Sequence, residues 1–104
     1  MGMDIEYLAD RVCDELESAK DYIKQAIEIK PMKEEWSTQL VQASAQELHH
    51  AEVFKNMLDT YYKIQHDLYK DKLPAYISEC YEEVAGKYGT MRAEILMLHG
   101  VFAK

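Results

Sequence analysis

Apolar residues recur every three or four positions in three long stretches of this chain, the spacing that turns one face of an α-helix towards a core. In the first stretch the seam reads Ile5, Leu8, Val12, Glu15, Ala19, Tyr22, Ala26 and Ile29, and Leu16, Ile23 and Ile27 widen it. That spacing predicts a helix over about 4–30. Asp4 is its N-cap, because a short acceptor side chain there can take a free N–H of the first turn. The second stretch, Leu40, Ala43, Glu47, His50, Phe54, Met57, Tyr61 and Ile64, predicts the packed seam of a helix over about 32–66. The third, Leu73, Ile77, Cys80, Val84, Tyr88, Met91, Ile95, Leu98 and Phe102, predicts a helix over about 73–102, with Gly86 and Gly89 loosening or bending it near the middle.

The first break is sharp. Pro31 disfavours helical geometry at Lys30 and suits the opening turn of a new helix, where Glu34 and Glu35 meet the positive end of the helix dipole. So short a connection makes the first two helices an antiparallel hairpin. The second break, within Gln65 to Lys72, carries a weaker signal. Four Gly and two Pro leave few other places to interrupt a helix. The expected fold is all-α, a single domain over residues 1–104, built as a long hairpin plus a third helix.

Charge and composition narrow the function. At 104 residues with a net charge of −7, and with no basic stripe, the chain does not suit a broad nucleic-acid surface. Met1-Gly2-Met3 leads directly into the first helical pattern, with no secretory signal and no apolar run long enough for a membrane. Cys13 and Cys80 are isolated thiols rather than a disulfide framework, which fits packing roles in a reducing cytoplasm. Among the sequence motifs there is no Gly-rich phosphate loop, nucleophile triad or zinc Cys/His cluster.

Two seams contain polar residues where apolar ones are expected. Glu47 and His50, three apart, share one helix face. Glu15 interrupts the first seam. Glu15 lies sixteen residues before Pro31 and Glu47 sixteen after. At about 1.5 Å per residue both stand roughly 24 Å from the turn, at one height across the hairpin. Burying such groups needs a partner. Two carboxylates and an imidazole make a half-site for iron or manganese; the same groups could instead form a buried hydrogen-bonded network that specifies register.

Glu15-Leu16-x-x-Ala19-x-x-Tyr22 followed by Glu47-x-x-His50-Ala51 resembles the first two helices of the ferritin-like superfamily, as found in bacterioferritins and rubrerythrins. The likeness spans about the first 65 residues. It implies Glu15 and His50 as terminal iron ligands, Glu47 as a bridging ligand and Tyr22 as an outer partner near them. The superfamily's second Glu and second Glu-x-x-His are missing here. Glu94 and His99, five apart, point about 140° from one another around a helix and cannot chelate together. The resemblance therefore implies a homodimer or higher oligomer, as in the short encapsulated ferritins, in which two hairpins complete a four-helix bundle around a shared di-iron (or manganese) centre. Ferroxidation, peroxide reduction or metal sequestration would follow. The alternative is a metal-free helical interaction module.

The remaining candidates carry less. His49 falls on the flank of the second helix, Glu52 lies on its outer face, and His66 and His99 are isolated. Trp36 is placed to staple the second helix to its neighbour. Tyr61, Tyr62, Tyr69, Tyr76, Tyr81 and Tyr88 suit helix–helix or subunit contacts with polar tips.

Overall fold

A computed structural model describes residues 4–104; the expected entry through Met1, Gly2 and Met3 lies outside the described residues. Three helices follow in order: α1 (Ile5–Ile29), α2 (Glu34–Tyr69) and α3 (Ala75–Ala103). A single 3-10 turn, Lys70–Lys72, precedes α3, and the described residues contain no strand. No described helix is long and apolar enough to cross a membrane.

Each boundary has a local cause. The Asp4 carboxylate accepts the Tyr7 N–H at 2.9 Å and starts α1. After α1 the N–H groups of Met32 and Lys33 both reach back to the Ile29 carbonyl, which closes the tight turn at Pro31. At the start of α2 the Ser37 hydroxyl donates to the Glu34 carbonyl at 2.6 Å. The end of α2, at Tyr69, falls inside the weakly marked Gln65-to-Lys72 stretch. There Lys70 takes φ 50°, a conformation that favours glycine. A lysine in that position hides the stop signal that a glycine would have given. α3 runs as one continuous helix through Gly86 and Gly89.

The hairpin of α1 and α2 forms as the spacing predicts, and α3 packs along it, more against α1 than against α2. The core joins Ile5, Leu8, Val12, Leu16 and Ala19 of α1 to Leu48, Ala51 and Leu58 of α2 and to Ile77, Val84 and Ile95 of α3.

One expected seam is corrected. The line of α2 that is most buried is Ser37, Ser44, Leu48, Ala51 and Leu58, not the Leu40-to-Ile64 line. The latter is only half-buried, and its members His50 and Ile64 are exposed. α2 carries two apolar stripes about 100° apart around its axis. Periodicity cannot rank them. The small Ser44 and Ala51 let the neighbouring helices approach closely, so their stripe faces inward. Trp36 is also corrected. It is 56% exposed with the Lys33 ammonium 5.3 Å above its ring, at the surface rather than in the core.

α3 is fixed to the inward stripe by polar contacts as well as apolar ones. The Ser44 hydroxyl donates to the Ala19 carbonyl at 2.6 Å and lies 2.9 Å from His99 Nε2. A hydroxyl has one proton, so Nε2 must be the donor in the second bond, and all three helices meet at this point. The Tyr62 and Tyr81 rings stack with centroids 4.2 Å apart. Tyr81 donates its hydroxyl to Asp59, which also receives Lys55. The tyrosine-rich second half thus serves in part to dock α3 on α2. His99 is not isolated, and burial lowers its pKa below the usual histidine value.

Candidate metal centre

The hairpin brings Glu15, Glu47 and His50 together. One donor atom from each lies within 4.8 Å of the others, and among the described residues these three alone form such a group. The height argument about Pro31 is thereby met. Glu15 comes from α1, and the Glu47/His50 pair from the facing side of α2 one turn apart. His50 Nδ1 is 3.1 Å from Glu47 Oε1 and 3.7 Å from Glu15 Oε2, so it is the imidazole nitrogen turned towards both carboxylates.

The three sit in graded exposure. Glu15 is 7% exposed, Glu47 is half-buried, and the His50 side chain is 45% exposed. The cluster therefore opens outward from a buried floor. α3 does not cover it: the recorded polar contacts of α3 reach α2 through Ser44, Glu52, Asp59 and Tyr62, on other sides of that helix.

The electrostatics are those of excess negative charge. Burial raises the Glu15 pKa above the usual carboxylate value, and the neighbouring Glu47 carboxylate raises it further. Arg11 and His50 pull it back only in part. Glu15 Oε1 accepts from Arg11 Nη2 at 2.8 Å. Glu15 Oε2 is buried and receives no donor. An orphaned carboxylate oxygen costs free energy unless a cation or a proton meets it.

Arg11 is the residue at this site that the seam pattern missed. It lies one turn before Glu15, a spacing at which an acid–base pair is legible in sequence. Tyr22 is half-buried two turns beyond Glu15 and makes no hydrogen bond to the three residues. His49 is on the flank, its side chain 71% exposed and 3.8 Å from Glu52. His66 lies beside the Tyr62 ring, far along α2. Glu94 pairs with Lys20 at 3.0 Å, and Glu79, Glu82 and Glu83 are exposed, so no α3 carboxylate completes the group.

No family model matches the chain, and neither a curated protein nor a solved structure proved similar to it.

Proposed function

We propose that this is a ferritin-like metal-binding protein, with Glu15 Oε2, Glu47 and His50 Nδ1 as the ligands that each chain contributes. The observation that carries this reading is the buried, donor-less Glu15 Oε2 facing a second carboxylate and an imidazole nitrogen. A divalent cation would answer the orphaned oxygen and the repulsion between the carboxylates in one step. The donor set of two carboxylates and one imidazole suits iron or manganese. Bound iron would supply one-electron chemistry towards dioxygen or peroxide. The chain's own part is to neutralise the ion's charge with Glu15 and Glu47 and to present His50 Nδ1 towards both carboxylates.

Three ligands from one chain leave coordination open. A second copy meeting the same face would double the set to four carboxylates and two imidazoles, a site for two metal ions. The half-exposed apolar stripe around the cluster supports that assembly. Leu8, Met57, Tyr61 and Ile64 line an apolar cleft on this face, and Ile64 remains 51% exposed. The protein would then act as a homodimer or a larger oligomer, as a ferroxidase, a peroxide reductant or a metal store.

The Arg11–Glu15 pair favours a second reading, in which the cluster is a metal-free polar network within an interaction module. One titration separates the two. Anaerobic Fe(II) or Co(II) should bind stoichiometrically to the wild type and not to Glu47→Ala, with the fold intact by circular dichroism. Full occupancy in Glu47→Ala, or none in the wild type, would sink the metal reading.

A further inference from the structure

We infer that Arg11 is a resident counter-cation of the Glu15–Glu47–His50 cluster, which holds Glu15 in the metal-free protein and limits how tightly a metal ion is taken up. The inference rests on the reading of those three residues as ligands. Arg11 Nη2 lies 2.8 Å from Glu15 Oε1. Its guanidinium also sits 4.8 Å above the ring of Phe54, which is one turn beyond His50 on α2. The side chain therefore bridges α1 and α2 beside the cluster. Arg11 Nε is buried with no acceptor, so the pose costs that donor its partner. Glu15 and the Phe54 ring hold it there.

Two consequences follow from the chemistry of a guanidinium. It cannot shed its proton, so it cannot yield to an incoming cation by becoming neutral. A metal ion at Glu15 Oε2 thus meets a fixed positive charge one carboxylate away. While Arg11 stays on Oε1, Glu15 can bind through one oxygen only. Coupling of this kind is reciprocal: whatever Arg11 takes from metal affinity, bound metal takes from the Arg11–Glu15 pair. Lysine at the same position would keep the charge but lose the fork. Methionine would keep an apolar stem against Phe54 and lose the charge.

The test uses the full chain and Co(II) at fixed ionic strength, with titration calorimetry and thermal melts with and without metal. Arg11→Met should bind Co(II) roughly tenfold tighter than the wild type, about 1.4 kcal/mol. Its melting temperature should rise more on metal addition. Arg11→Lys should stay within about threefold of the wild type, since the charge is kept. Arg11→Gln, which retains a donor for Glu15, serves as the charge-free variant if Arg11→Met does not fold. Equal or weaker binding in the charge-free variant, with the wild type still binding, overturns the role of Arg11 and leaves the ligands standing. Absence of Co(II) binding in both wild type and variant removes the ligand reading itself.

Discussion

The two sides of α2 carry two polar clusters that the same helical chemistry built and that behave in opposite ways. On the α3 side, Ser44, Ala19 and His99 close a hydrogen-bonded junction of three helices, and Tyr62, Tyr81, Asp59 and Lys55 close another. Each side-chain group there has a partner within the chain. On the other side, Glu15, Glu47 and His50 gather two acids and one imidazole. There Glu15 Oε2 lacks a donor, and the exposed His50 opens the cluster outward. Buried polar groups that are satisfied specify how helices dock. Groups left unsatisfied at an open face call for something from outside. The difference marks the first cluster as architecture and the second as the place to look for a ligand.

The largest effect should separate the clusters by metal affinity. Glu47→Ala should weaken Fe(II) or Co(II) binding by more than the roughly 10–100-fold that follows from losing an outer partner of a ligand. Its metal-free melting temperature should hold or rise, because a repelling carboxylate is gone. Ser44→Ala should do the reverse. Metal affinity should be unchanged, while stability falls by about 1–3 kcal/mol as His99 loses its acceptor. Chemical denaturation of both variants would read this directly. A Ser44→Ala variant as stable as the wild type would show that the junction is not what docks α3. Tyr81→Phe should cost less, about 1 kcal/mol, because Asp59 keeps Lys55 at 2.6 Å.

The smallest effect is a pair of opposed pH slopes in the metal-free protein. The raised pKa of Glu15 means that the native state binds the proton more tightly than the unfolded chain does. Stability on that account falls as pH rises from the usual carboxylate range through the raised value. The lowered pKa of His99 means that the native state binds its proton less tightly. That contribution is present above the ordinary histidine value of 6.5 and is lost as pH falls below it towards the depressed one. Glu15→Gln should flatten the first slope only, and Ser44→Ala should not touch it. The Tyr81 hydroxyl, pushed up to about 12 mainly by its hydrogen bond to Asp59, should stay protonated through the whole range. A Tyr81 phenolate detected by ultraviolet absorbance near pH 10 would show that the Asp59 bond is absent in solution.

Most of the hairpin was legible in the sequence because its signals are local. Asp4 caps, Pro31 breaks, and the even spacing of Glu15 and Glu47 about Pro31 sets the register that brings the cluster together. What sequence periodicity missed lies in the third dimension. Two stripes of α2 share the 3-4 spacing, and the one that faces inward carries the small Ser44 and Ala51. The seam that held Glu47 and His50 proved to be the uncovered one, and that accounts for the exposure of His50. His99 looked solitary because its partner is 55 positions away. Arg11 was within reach of a local rule, four residues from Glu15, but a seam of apolar positions passes over it. Lys70, at φ 50°, concealed the end of α2.

The uncovered stripe is also where two copies would meet, and the central claim joins metal and partner in one site. Native mass spectrometry after anaerobic Fe(II) loading reports both quantities together. The account predicts an even-numbered oligomer carrying two irons per pair of chains, with the irons lost in Glu47→Ala. A protein that remains iron-free in excess Fe(II), whether as monomer or dimer, would contradict it.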